Sequence, residues 1–209
     1  MLHDLETLIG STVIATDVEI GSVRNFLFDD QSWTIRYLVV DVGRWLKRRA
    51  IILAITAVQQ PDWGKKVFHV HLTREQVRNS PDVDAEKPVS RQQEIAMQEY
   101  FGWLAYWFDS QYRELSSMPT GMKYPVHTEG DSHLRSAWHL AGYEVWASDG
   151  EIGRLEGLIM DEACWHLSYL NVKTGDWLRN RLMLVPTRWI KSVSWDDRRV
   201  NLHHTRAGT

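Results

Sequence analysis

The sequence predicts a mainly β protein in which one small module is used twice. A fourteen-residue strand-like stretch at 33–46 recurs 132 positions later at 165–178, with seven identical positions: Trp33, Tyr37, Leu38, Val40, Gly43, Trp45 and Leu46. The same offset, without a gap, aligns Glu19-Ile20-Gly21 with Glu151-Ile152-Gly153 and Thr73-Arg74 with Thr205-Arg206. Self-similarity at a fixed spacing indicates a repeated structural unit, and two copies are too few for a solenoid. We therefore expect two small β domains.

The spacing divides the chain into a first domain at 1–80, a linker at 81–132 and a second domain at 133–209. Within the linker a helix is predicted near 90–101, since Ser90 and Gln93 have the spacing of a capping box and Gly102 is a plausible stop. An aromatic segment, 103–108, follows with five large apolar side chains. Such apolar density needs to be covered by other parts of the protein.

The central strand of each copy separates two faces, because side chains alternate along a strand. Leu38 and Val40 are matched in the second copy and should form a common core. Ile35, Tyr37 and Val39 point the other way and make that face apolar as well, so it should be covered, and we expect the aromatic segment to dock there. The second copy turns polar on this face at Asn171 and Lys173, so that face should be half exposed.

Composition places the chain among ordinary soluble globular proteins, with 44% hydrophobic and 24% charged residues. The net charge of −3 provides no overall attraction to nucleic acid or to anionic membranes. No apolar run approaches the roughly 20 residues of a membrane helix, so no membrane insertion is expected. One cysteine, Cys164, and no recognisable signal sequence favour a cytoplasmic location. We interpret Cys164 as a small buried hydrophobe rather than a reactive thiol.

The repeated residues resemble the PRC-barrel family, which includes the cytoplasmic domain of the photosynthetic reaction centre H subunit and the C-terminal domain of a ribosome maturation factor. The resemblance rests on Asp17 to Gly21, Asp29 and Trp33 to Asp41, and on Asp149 to Gly153, Asp161 and Trp165 to Val172. It covers about 8–78 and 138–206. It implies two small, strongly bent, antiparallel β-barrels, and protein–protein assembly rather than catalysis. It carries no catalytic residues to this chain.

Histidines and aspartates, which can bind metal ions, occur in both copies, but they do not form a complete ligand pattern. His69 and His71 share a strand face, and His203-His204 occupies the equivalent end of the second copy. Zinc would require a third ligand that converges on them, so ordinary strand histidines are favoured. Asp29 and Asp161 would form a carboxylate pair only if the two barrels face each other, and turn capping is favoured instead. No metal site is predicted.

Two other features permit ligand contacts. Basic residues lie in equivalent connections, Lys47-Arg48-Arg49 in the first copy and Arg179 with Arg181 in the second, where a solvated turn is favoured over a phosphate contact. The repeated tryptophans allow an aromatic cage, but core or inter-domain packing is favoured. No catalytic, cofactor-binding or metal-binding residue is predicted.

The sequence predicts a non-enzymatic module for protein–protein interaction and assembly, whose protein partner is unknown. It also predicts that the protein forms a homodimer. A barrel of about 70 residues buries only about 60% of its unfolded surface, so the copies should support each other or a second chain. Two alternatives stay open: an RNA- or ribosome-associated factor that uses the basic loops, and a small-ligand binder that uses the cleft between the barrels.

Overall fold

Strands make up most of the protein in the computed structural model, which describes residues 1–43, 50–59, 61–81, 91–103, 134–175 and 181–206. The first half contains β1 (Leu2–Asp4), α1 (Leu5–Leu8), β2 (Thr12–Ile14), β3 (Glu19–Asp29), β4 (Thr34–Asp41), β5 (Ala50–Ala54), a 3-10 turn (Ile55–Ala57), β6 (Val67–His69) and α2 (Arg74–Asn79). The second contains β7 (Leu134–Ser136), a 3-10 turn (Ala137–Leu140), β8 (Glu144–Ala147), β9 (Gly150–Asp161), β10 (His166–Thr174), β11 (Leu182–Pro186), a 3-10 turn (Thr187–Trp189), β12 (Ile190–Ser194) and β13 (Arg199–Leu202). The prediction of a mainly β protein is confirmed.

Along the chain, helix α3 (Arg91–Phe101) follows the first half and precedes the second, within the range where the sequence predicts a helix. Gly102 follows it with a φ of 70°, the left-handed conformation that commonly ends a helix. Of the aromatic segment, Trp103 is described, and 104–108 lies outside the described residues together with the rest of the linker up to 133. In α2, Thr73 caps the first turn and Gln76 returns a hydrogen bond, which is the capping box.

The strands form a mixed sheet, not a purely antiparallel one. In the first half β3 pairs with β2 and β4, and β4 pairs with β5, all antiparallel. In the second half β9 pairs with β8 and β10, and β10 pairs with β11, in the same way. However, β2 runs parallel to β6, and β8 runs parallel to β13. The expectation of antiparallel pairing is wrong for these two pairs, because an even number of chain reversals separates their strands.

Irregularities in the sheet recur with the 132-residue offset. The register leaves one extra residue at Ile20, Arg24 and Arg36 in the first half, and at Ile152, Glu156 and Ser168 in the second. A β-bulge of this kind bends its strand and increases the local twist. Gly21 and Gly153 lie beside bulges, where a Cβ atom would come 2.0 Å from the carbonyl oxygen of Asp41 or of Lys173, respectively. Both halves therefore bend at the same places.

The halves exchange short strands with each other. β1 of the first half pairs with β9, and β7 of the second half pairs with β3. Leu2 lies opposite Asp161 and Leu134 lies opposite Asp29, so the two exchanges occupy positions 132 residues apart. Between them β4 meets β10 through the pair Thr34 and His166, which also differ by 132. The pairing is reciprocal, as in a twofold-symmetric dimer.

The bulge at Arg36 explains one wrong expectation about the core. Leu38 and Val40 lie in the main apolar cluster with Leu170 and Val172, as predicted for the common core. Ile35 lies in this cluster too, not on the outer face with Tyr37 and Val39. An extra residue in a strand reverses the alternation of its side chains. The outer face of β4 therefore begins at Tyr37.

Candidate protein interface

The junction between the halves is built from an aromatic cluster and an acidic residue. On β1, the ring of His3 stacks on Trp63 at 4.2 Å between centroids, and Trp63 lies 5.7 Å from both Phe68 and Trp165. The same histidine reaches the other half, with Nε2 at 2.7 Å from Oε2 of Glu162. Aromatic contacts of this kind stabilise beyond the area they bury. His3 thus ties its own half to the other.

The second half repeats this arrangement with different chemistry. On β7, the guanidinium of Arg135 lies over the ring of Trp195 at 4.4 Å, and its Nε donates to Oδ2 of Asp30 at 2.9 Å. Arg135, Trp195 and Glu162 stand 132 positions after His3, Trp63 and Asp30, respectively. Each exchanged strand therefore carries a histidine or an arginine that packs on a tryptophan of its own half and contacts a carboxylate of the other half.

One of these carboxylates has a shifted pKa. The hydrogen bond with the His3 side chain, followed by the contact of the Met1 amino group at 3.1 Å, lowers the pKa of Glu162 below its ordinary value. Both partners favour the ionised carboxylate. The contact between β1 and the second half is therefore favoured by deprotonation of Glu162.

A small cavity of about 150 Å³ lies at the same junction, where β4 approaches the turn that precedes β10. Its lining includes Tyr37, Gln98, Trp103, Cys164 and Trp165. Ligand pockets for drug-sized molecules usually measure about 300–1,000 Å³. The cavity is therefore small for a metabolite site.

The outer face of the first half is covered by α3. Leu27, Tyr37, Val39, Ile52, Ala54 and Leu134 form a separate buried cluster on this face. Met97 of α3 is fully buried in it, and Phe101 and Trp103 pack against it. Nε2 of Gln98 donates to the hydroxyl of Tyr37 at 3.3 Å, and Tyr100 holds the helix to α2 through the carbonyl of Gln76. The sequence predicts that the aromatic segment docks on Tyr37 and Val39: Trp103, its described member, packs on this face beside α3, and 104–108 lies outside the described residues.

The equivalent face of the second half is not covered by any helix among the described residues. Leu184 stands where Ile52 stands in the first half, and its exposed fraction is 53% against 0%. Leu182 and Leu2 are 62% and 48% exposed. Tyr169 and Asn171 are half-buried. The expectation that this face is half exposed agrees with these values, and Leu182 and Leu184, two residues apart on one face of β11, form an exposed apolar pair that indicates a contact surface.

The histidines and aspartates singled out from the sequence do not converge on a site. His69 and His203 are exposed, His71 Nδ1 lies 3.0 Å from the amide of Gln59, and His204 packs on Trp189. Asp29 caps its turn by accepting from the amides of Gln31 and Ser32, and Asp161 accepts from the amide of Ala163, which is the predicted turn-capping role. Within the described ranges, no group of three or more His, Cys, Asp or Glu side chains is placed to hold a metal ion.

Three other sequence interpretations have different outcomes. Cys164 is exposed, so the expected burial is wrong; it lies in the tight turn between β9 and β10. Of the repeated tryptophans, Trp33, Trp63, Trp165 and Trp195 pack on the core, and Trp165 also lines the small cavity. Trp45 and Trp177 lie outside the described residues. The loop Lys47-Arg48-Arg49 and Arg179 lie outside the described residues, whereas Arg181 is described and exposed.

Sequence reasoning missed the strand exchange, and with it the position of Leu2 on the outer face of the second half. The only sequence signal was weak, since Leu2-His3-Asp4 and Leu134-Arg135-Ser136 share one residue. In addition, no helix in the described part of the chain has the length and apolar character needed to cross a membrane.

Comparison with known proteins assigns the first half. No curated protein matches the chain. The family model of the PRC-barrel domain matches residues 2–77, which extend from β1 into α2 and include the bulged strands β3 and β4. The comparison therefore supports a PRC-barrel domain at residues 2–77.

Proposed function

We propose that this protein is a non-enzymatic assembly module in which two PRC-barrel-like halves, each a small bent barrel, form one body that holds a protein partner. The observation that carries the proposal is the set of exposed leucines on the outer face of the second half. Large apolar side chains that adjoin each other on a surface mark contact sites for other molecules. The fold alone would support no specific activity.

The recurrence of local geometry supports two barrels of one type. Besides the bulges, residues with left-handed backbone recur at the same offset: Trp33 and Trp165 have φ of 53° and 57°, and Lys66 and Arg198 have 55° and 53°. Non-glycine residues adopt this conformation rarely. Four such residues in two matched pairs favour a duplicated unit over an accidental likeness.

The reciprocal strand exchange supports a single body. Each half completes the sheet of the other through β1 and β7, so separation would break backbone pairing on both sides. Unpaired backbone groups that lose their partner cost free energy unless water replaces it. The homodimer predicted from the sequence stays a prediction, because the internal pairing already supplies a twofold-like contact without a second copy. The predicted cytoplasmic location also stays a prediction.

The two alternatives have less support. A small-ligand binder would use the junction cavity, whose volume of about 150 Å³ is below the usual range for such sites. RNA association would use the basic loops, of which Arg181 is the described member. An overall charge of −3 does not favour it.

The test is reconstitution of a complex from the full-length protein and partners recovered from its native cells. We expect to recover a partner protein that, once purified, binds this protein again at a fixed stoichiometry. Its affinity should fall little when the salt concentration is raised from about 50 to about 200 mM, since salt does not screen apolar contacts. Binding of RNA alone, with the steep salt dependence of phosphate contacts, would replace the proposal by the RNA alternative. Turnover or retention of a small molecule without any protein partner would overturn it.

A further inference from the structure

We infer that the outer face of the second half is the docking site for an amphipathic α-helix of the partner protein, seated as α3 is seated on the first half. This inference rests on the assembly function proposed above. It goes beyond that function by naming the surface, the shape of the partner element and the side chains that the element must present.

The strand register defines the surface. Residues directly opposite each other in neighbouring strands point to the same face. Ile159, Tyr169 and Pro186 form one such row, and Gly157, Asn171 and Leu184 form the next. Arg154, Lys173 and Leu182 form a third. Strand β1 adds Leu2 and Asp4, since Asp4 lies opposite Ile159 and Leu2 lies opposite Asp161. The outer face is thus a central apolar and amide surface with charged residues at its margins.

The corresponding face of the first half shows what such a surface accepts. Its rows are Leu27, Tyr37 and Ala54, then Val39 and Ile52, and β7 adds Leu134. Each of these six residues is at most 8% exposed, because α3 and Trp103 lie over them. Bulges at matched positions give the two sheets the same bend, so the second face presents the same curvature to a helix.

The contacts of α3 specify what the partner helix presents. Met97 and Phe101 are four residues apart and so lie on one side of the helix, and the neighbouring Gln98 donates to the Tyr37 hydroxyl. Tyr169 occupies the position of Tyr37, and Asn171 replaces Val39. A helix with two large apolar residues at i and i+4 and an amide at i+1 therefore fits the second face, and the amide side chain of Asn171 adds a polar contact.

The size of the face decides between a helix and a second copy of this chain. A standard interface uses about 20–30 residues on each side. The outer face offers about twelve. On the first half, α3, with 11 residues, and Trp103 just after it cover the equivalent face through three apolar side chains and one amide. One helix matches this surface, and a face-to-face homodimer leaves most of the required area unsupplied. Helix-in-groove recognition is a common mode of peptide binding.

The experiment places a photo-crosslinking amino acid at position 184 of the full-length protein in its native cells, with a control at the exposed Asp196 in the turn between β12 and β13. We expect a protein adduct at position 184 that is absent at position 196. The crosslinked segment should be predicted helical with i, i+4 apolar spacing. As a synthetic peptide it should bind the purified protein, and Leu184→Asp should weaken binding at least tenfold while Asp196→Ala leaves it unchanged.

Three outcomes would overturn the inference: an adduct to a second copy, an adduct within the same chain, or a captured segment without helical spacing. If the partner still copurifies but neither crosslinks at 184 nor responds to Leu184→Asp, the docking site is wrong and the assembly function stands. If no partner is recovered by any route, the assembly function itself fails. Circular dichroism of Leu184→Asp separates loss of binding from loss of folding.

Discussion

The outer faces of β4 and β10 differ in coverage although the strands beneath them have matching registers and matching bulges. In the first half the face is buried under α3, and Ile52 is fully inaccessible. In the second half the equivalent Leu184 is half exposed. The sheet is therefore not what decides whether its face is closed. The helix that packs on the face decides this: α3 covers the first face, and no helix among the described residues covers the second.

Matched substitutions on the two outer faces test this comparison, and Ile52→Asp should change the free energy of unfolding most. Ile52→Asp should lower the free energy of unfolding by more than about 3 kcal/mol, because it places a carboxylate in a dry apolar cluster. The matched change Leu184→Asp should alter it by about 0.5 kcal/mol or less, as is usual for exposed positions. Urea denaturation measures both. Similar losses in the two variants would mean that the second face is covered as well.

A second pair tests whether the inner architecture is shared. Gly21→Ala and Gly153→Ala each bring a Cβ atom within 2.0 Å of a neighbouring strand's carbonyl oxygen, so the backbones must separate. We expect each to cost about 3 kcal/mol, since overpacking that forces a backbone shift costs that order of energy. Gly64→Ala is the control, because its nearest neighbour is a carboxylate oxygen at 3.6 Å. Thermal denaturation that finds only one of the pair destabilising would argue against matched bends.

A smaller effect is expected from the tyrosines on the two faces. Tyr37→Phe removes the hydroxyl that accepts a hydrogen bond from buried Gln98, and it should cost about 1 kcal/mol. Tyr169→Phe changes a half-buried residue on the face that no described helix covers, and its cost should be close to zero. The free energies of unfolding in urea provide the comparison. A Tyr169 loss as large as that of Tyr37 would indicate that something occupies the second face in the isolated protein.

The smallest effect concerns the junction and depends on pH. The folded-state pKa of Glu162 is lowered by its contacts with His3 and the Met1 amino group, so its contribution to stability is present above the ordinary glutamate pKa of about 4.3 and is lost as the pH falls through the lowered value. Glu162→Gln should therefore be less stable than the wild type at neutral pH, and the difference should vanish in acid. A difference that grows on acidification would contradict this assignment.

The sequence by itself determined the repeated strands, the position of α3 and the common core of Leu38 and Val40. These follow from local patterns, namely alternation, capping and a fixed offset, which one chain segment carries by itself. The aromatic segment 103–108 also predicted apolar side chains that need to be covered.

Only the tertiary structure decided the exchange of β1 and β7, the parallel pairs and the orientation of the Ile35 side chain toward the core. The physical reason is that a three-residue strand takes its stability from the partner it finds, and a single-residue bulge changes the facing of every side chain beyond it. Neither leaves a periodic signal. The same holds for Leu2 and Leu184, which lie far apart in the chain and come to the same face of the sheet only through the exchange.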